Sequence, residues 1–210
     1  TECHPTVAGL PPDLSIHAFD HLYEQADDFS QVYEAIAETV LQLGRRPDGV
    51  IYAVPGHPLV GETTVSAILS AAESMGMDVR IIEGLSFVEA TLTALRMDAL
   101  DGLQVFDAIE LAARHHPPLN PDVPALLGQL HSRSLASAVK LSLMNEYPDG
   151  HEVVLVHAAG TPRQRIERRL LYQLDRGDRA AAPLAHLTTL YVPPFRPVTS
   201  FEGLQDTVAH

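Results

Sequence analysis

The residues able to do chemistry in this chain are mostly histidines: there are eleven, against a single cysteine and no tryptophan. Their spacing does not predict a metal centre. His17 and His21 are four apart, His115 and His116 adjacent, and His151 and His157 six apart. None of them sits in an H-x-x-x-H pattern on a clear helical run with a nearby carboxylate. Cys3 excludes an internal disulfide and fits a reducing compartment. As a nucleophile it would need a base held at fixed distance, which position three of a chain rarely offers. No G-x-S-x-G elbow, Walker loop or complete G-x-G-x-x-G fingerprint occurs. What remains is a set of small-residue loops that interrupt apolar runs: Pro55–Pro58, Gly84–Phe87, Ala158–Pro162 and Thr188-Thr189. Met144 adds a soft side chain that suits either a flat aromatic ligand or a core.

These loops need elements to hold them. GVIYAVPGHPLVGE (49–62) reads as a buried strand, Val50 to Val54, a sharp loop at Pro55-Gly56-His57-Pro58, and a helix opening at Glu62. Before it, residues 1–20 read as an extended or looped segment. Phe29, Val32, Tyr33, Ile36, Val40 and Leu43 then predict a helix, with Asp27-Asp28 at its start and Gly44 at its end. After it, Val65, Ile68, Leu69, Ala72 and Met75 predict a second helix stopped by Gly76. Residues 79–82 read as a strand, and Ser86 with Glu89 forms an S-x-x-E capping box for the next helix. Repeated strand–loop–helix joints of this kind predict a mainly parallel sheet in this half.

The second half alternates with different punctuation. Residues 103–106 and 125–130 are strand candidates separated by HHPPLNPDVP, 135–147 a helix, 152–158 a strand, and 187–192 a last strand. The run from Pro162 to Asp175 reads as a basic helix. Six of the fourteen basic residues fall there or just beyond: Arg163, Arg165, Arg168, Arg169, Arg176 and Arg179. They are either a solvated face or a greeting for an anionic ligand. The expected division is an α/β lobe over 1–95, a second over 96–200, and a tail over 201–210.

At 210 residues, 46% hydrophobic and 20% charged, the chain is a globular one with room for a large core. Its net charge of −13 opposes a nucleic-acid binder, which works by neutralising phosphates. No apolar run or leader predicts a membrane span or export, so a cytoplasmic protein is expected.

Taken in order, the loops resemble the tetrapyrrole (corrin/porphyrin) methylases, the class III S-adenosylmethionine-dependent methyltransferases. Within that family the chain is most similar to the lobe that bacteria fuse to a MazG-type nucleotide pyrophosphohydrolase. The resemblance is carried by HPTVAGLP (4–11), YAVPGHPLVGE (52–62), EGLSFVEA (83–90), LASAVKLSLMNEYPD (135–149), LVHAAGTPRQRI (155–166) and LYVPP (190–194). It implies two α/β lobes, with a mixed sheet in the second, a homodimer, and S-adenosylmethionine held in a cleft, with S-adenosylhomocysteine as product. By motif, Pro55, Gly56, His57 and Val60 would meet the methionine part. Ser86 and Phe87 match the next contacting pair, and Met144, Ala159, Gly160 and Thr188 would surround the adenosine. The chain starts after the family's opening strand and glycine-rich loop, and it carries His57 where biosynthetic members carry aspartate. The resemblance therefore implies a methyltransferase acting on a tetrapyrrole-like or other small molecule. The alternative is a non-catalytic, cofactor-sensing or dimerising lobe that regulates a fused pyrophosphohydrolase.

Overall fold

The computed structural model describes residues 10–11, 13–25, 29–176, 184–185 and 187–195. Cys3, Asp27, Asp28, Arg179, the tail over 201–210 and all but residues 10–11 of the HPTVAGLP motif lie outside them. The chain divides into two compact units, Thr1–Gly84 and Leu85–His210.

In the first unit the helices are α1 (Asp20–Gln25), α2 (Phe29–Gly44) and α3 (Thr63–Ser74). Residue spacing explains the packing of the last two: Val32, Ile36 and Val40 recur every fourth position, which puts them on one face of α2. They bury there with Ala37 and Leu41 against Ile68 and Ala72 of α3. Gly76, at φ 64°, ends α3. Its amide donates to the Glu73 carbonyl and that of Met77 to the Ala72 carbonyl, the paired bonds of a Schellman stop. The six-residue α1 falls partly within the stretch expected to be looped, because a helix of under two turns leaves too little periodicity to detect.

Two expectations are corrected here. Residues 50–54 and 79–82 are rich in β-branched side chains, yet they run without forming a ladder among the described residues. Ile51 is 86% and Ile82 68% exposed, so 50–54 is not the buried strand expected, nor 79–82 the short strand. β-propensity describes fitness for a pleated, packed surface, and a strand exists only where a neighbour completes it. No described segment does so for these two.

The second unit carries α4 (Phe87–Leu95), β1 (Gln104–Asp107), α5 (Ala108–Ala112), β2 (Ala125–Gly128), α6 (Arg133–Leu143), β3 (Glu152–His157), β4 (Arg165–Leu170) and β5 (Thr188–Val192). The strands form one mixed sheet in the order β1-β2-β5-β3-β4, parallel only between β1 and β2. Alternation along the strands sorts the side chains by face. Val153, Leu155, Leu190, Val192, Ala125 and Leu127 share a core with Ala108 and Leu111 of α5 and with Ala136, Val139 and Leu143 of α6. At under two turns, α5 escapes sequence periodicity just as α1 does.

The basic run is a strand, not a helix. β4 pairs antiparallel with β3 along its whole length, Arg165 opposite His157 and Leu170 opposite Glu152. The sequence RIERRL alternates as well as it winds, and cross-strand partners decide between the two. Arg168 bonds Glu152 at 2.5 Å, while Arg169 bonds Glu167 at 2.7 Å. The charges thus line an edge strand and are matched by carboxylates, an arrangement that discourages edge-to-edge association. No helix among the described residues is long and apolar enough to cross a membrane.

Ser86 caps α4 as its sequence predicts. The Ser86 hydroxyl accepts from the Val88 amide at 3.0 Å, and Glu89 accepts from the Ser86 amide at 2.7 Å. At the other end Arg96 adopts φ 57°, a left-handed conformation that glycine takes without strain. Arg96→Gly should therefore raise stability by about 0.5–1 kcal/mol, read as a higher midpoint in thermal or urea unfolding.

Candidate functional site

A pocket in the second unit opens where three strands of the sheet begin or end. It is lined by Phe87 at the start of α4, Gln129 after β2, Ala158, Ala159 and Thr161 after β3, and Leu187, Thr188 and Thr189 around the start of β5. Strand ends are where backbone groups leave the ladder and side chains diverge, so space for a ligand collects there. The cavity holds about 150 Å³, roughly what one aromatic ring needs.

Local sequence explains its shape. A Cβ on Gly128 would lie 2.7 Å from the Phe87 ring, so only glycine lets that ring lie against the end of β2. Gln129 and Ala158, both lining residues, hold φ values of 62° and 46°. Such conformations are costly for residues with a Cβ and concentrate at ligand sites. The loop after Ala158 is closed by its own hydrogen bonds. The Thr161 hydroxyl donates to the Ala158 carbonyl at 2.8 Å, and the Gly160 amide donates to the Gln164 side chain at 2.9 Å.

Of the residues singled out in the sequence, Phe87, Ala159 and Thr188 line this pocket together. Ser86 lies beside Phe87, spent on the helix cap. Gly160, at φ 75°, turns the loop next to Ala159 and passes Ala90 closely enough that a Cβ would sit 3.4 Å away. Met144 caps the C-terminal end of α6, half-buried against the core. Ala158, Thr161 and Thr189 also line it; they belong to the loops singled out in the sequence but not to the expected cofactor contacts, and Gln129 and Leu187 were not anticipated. Thr161 stands in the quoted AAGTP loop and Thr189 beside Thr188, whereas Gln129 and Leu187 carry no sequence signal.

The loop of the first unit is built separately. Gly56 (φ 84°) and Gly61 (φ 75°) bracket it. The Val60 amide donates to the His57 carbonyl at 3.0 Å, and the Leu59 amide donates to His57 Nδ1 at 3.1 Å. A side-chain acceptor bonding the amide two residues on is the device by which aspartate makes an Asx turn. His57 therefore shapes the turn as the aspartate of the biosynthetic pattern is able to. Gly84 passes so near this loop that a Cβ would lie 2.6 Å from the Gly56 carbonyl oxygen. Pro55 and Gly56 are exposed, while His57 and Val60 are half-buried.

A mixed-sheet α/β unit with a small-residue pocket at its strand ends defines a class of proteins that hold small ligands there. The pattern of the Tetrapyrrole (Corrin/Porphyrin) Methylases matches residues 4–175, and the chain belongs to that family. It is 38% identical over 202 residues to the "uncharacterized protein YabN" of Bacillus subtilis (strain 168), covering 93% of this chain. The chain spans 39% of the length of that relative. In fold it is similar to the methyltransferase CobJ, with a TM-score of 0.56 at 20% identity over 93% of this chain and 83% of that one. It is also similar to the uroporphyrin-III C-methyl transferase from Thermus thermophilus, solved with S-adenyl homocysteine. There the TM-score is 0.50 at 13% identity over 78% of this chain and 72% of that one.

The turn at His57 yields a direct test. His57→Ala removes the acceptor for the Leu59 amide and should lower stability by about 1 kcal/mol. His57→Asp, which restores a short acceptor, should recover most of that loss in the same thermal unfolding assay.

Proposed function

We propose that this chain is an S-adenosylmethionine-binding methyltransferase lobe, acting on a tetrapyrrole-like or other small molecule. The observation that carries the reading is the strand-end pocket. Its Phe87 face, its two alanines and the paired Thr188 and Thr189 suit the flat face and polar edge of a purine, one ring of which its volume admits. Family membership and the S-adenyl homocysteine ligand of the Thermus thermophilus neighbour support the same choice.

Bound there, the cofactor would supply an electrophilic methyl group on sulfur, whose transfer is an in-line displacement that needs no protein nucleophile. The work left to the protein is binding, orientation and exclusion of water. Phe87, Ala158 and Ala159 would cover the purine with apolar surface, and the threonine hydroxyls would meet its polar edge. Assembly as a homodimer, in the cytoplasm, belongs to the same proposal.

A second reading is favoured by one observation, the 39% share of the Bacillus subtilis relative that the chain spans. On that reading the lobe senses cofactor, or dimerises, for a fused MazG-type nucleotide pyrophosphohydrolase. One comparison singles out its cofactor-sensing form: only then does nucleotide hydrolysis by the full-length protein change with S-adenosylhomocysteine.

Calorimetric titration with S-adenosylhomocysteine tests the shared premise. Saturable one-site binding is expected, weakened about tenfold by Gly128→Ala, whose new methyl group drives the Phe87 ring aside. Absence of binding at millimolar ligand overturns the methyltransferase reading and the cofactor-sensing form of the second.

A further inference from the structure

Behind the pocket wall lies a buried polar cluster that the proposed cofactor contacts leave unused. The His157 side chain is 9% exposed and the Glu167 side chain 18%. Their facing atoms, His157 Nε2 and Glu167 Oε2, stand 3.8 Å apart, both shielded from water and without a hydrogen-bond partner among the described residues. On its other side, His157 Nδ1 lies 3.1 Å from the hydroxyl of Thr188, which lines the pocket. The sheet produces this line-up: His157 sits opposite Arg165 on β4 and opposite Thr188 on β5, with Glu167 one step along the same face.

The protonation states follow from the surroundings. Burial opposes ionisation of Glu167, but the hydrogen bond and charge of Arg169, aided by Arg165 and His157, hold its carboxyl below the usual range. Burial likewise pushes the His157 imidazole below its ordinary value of 6.5, with Arg169 and Arg165 acting the same way against the pull of Glu167. The charged groups facing the ring are thus Arg165, Glu167 and Arg169, all from β4, while β5 contributes the Thr188 hydroxyl.

A neutral imidazole has one N–H to place. On Nδ1 it would leave the Nε2 lone pair facing a carboxylate; on Nε2 it points at that carboxylate, so Nε2 carries it. Nδ1 then accepts, and the Thr188 hydroxyl must donate to it. One of the two lone pairs of that hydroxyl takes the Ala185 amide at 3.1 Å. Only the other lone pair is left for the pocket.

We propose that His157, oriented by Glu167, fixes Thr188 as a hydrogen-bond acceptor toward the pocket, so that the site selects a ligand group that donates N–H or O–H over a carbonyl in the same place. This rests on the cofactor reading above and makes His157 a positioning residue acting through Thr188. The donor on the cofactor is either the exocyclic amine of the adenine or a ribose hydroxyl.

The test is calorimetric titration of the full chain with S-adenosylhomocysteine, with S-inosylhomocysteine, in which a carbonyl replaces the amine, and with analogues lacking a ribose hydroxyl. The wild-type protein should lose about tenfold in affinity for the analogue that removes the donor, and which analogue does so identifies the source. His157→Leu frees the hydroxyl to rotate and should reduce that discrimination to about twofold or less. His157→Asn, whose amide oxygen stands near the place of Nδ1, should keep it.

A pH series adds a readout that a packing role would not move. As pH falls through the lowered folded value of His157, below 6.5, the imidazolium Nδ1–H donates to Thr188 and turns the hydroxyl proton into the pocket. Wild-type discrimination should fade there, and that of His157→Asn should not. If His157→Leu fails to fold, this pH comparison alone decides. Full discrimination in His157→Leu, a pH-independent wild type, or no discrimination at all overturns the inference. A wild-type protein that binds no S-adenosylhomocysteine at millimolar concentration overturns the cofactor reading, and the inference with it.

Discussion

The register of β3 against β5 is the constraint on which the second unit depends. With Leu155 opposite Leu190 and His157 opposite Thr188, each pair faces the same side of the sheet. A slip of one residue on either strand would turn its members of both pairs to the opposite face, taking a leucine out of the core and parting His157 from Thr188. The burial of Leu155 and Leu190 against α5 and α6 holds that register, and the polar pair is then delivered to the strand end where the ladder stops. The pocket is a consequence of packing some distance behind it.

The same logic explains why the lining residues are small or conformationally unusual. The end of β2 must admit an aromatic ring, which leaves no room for a side chain at Gly128. The chain must then turn sharply at Gln129 and, after β3, at Ala158, and it does so in left-handed conformations without glycine. Strain of this sort persists only where neighbouring structure enforces it. Here the hydrogen bonds from the Ala158 amide to the Leu187 carbonyl, and from Thr161 back to Ala158, do so.

Much of this was legible in the sequence, for reasons that differ by element. The helices α2, α3 and α4 announce themselves by apolar spacing, a glycine stop and a capping box, all local signals. β3 and β5 are visible as β-branched runs, and Phe87, Ala159 and Thr188 through the loops that carry the family resemblance. The strand β4 was hidden because RIERRL suits either period until its partners on β3 are known. The runs at 50–54 and 79–82 have strand composition without the neighbour that makes a strand. His157 enters the sequence reading only through its six-residue distance from His151, which speaks against a metal pair and says nothing of a role behind the pocket. Its meaning comes from Glu167 and Thr188, ten and thirty-one positions away, which only the sheet brings together.

The proposed cofactor site and the proposed role of His157 converge on what occupies the strand-end pocket. A crystal structure of the protein grown with S-adenosylhomocysteine measures that most directly. The account predicts a purine packed on Phe87 and Ala159, with one of the ligand's N–H or O–H groups within hydrogen-bond distance of the Thr188 hydroxyl. An ordered ligand bound elsewhere, or a purine here that turns a carbonyl-like acceptor edge to Thr188, would contradict it.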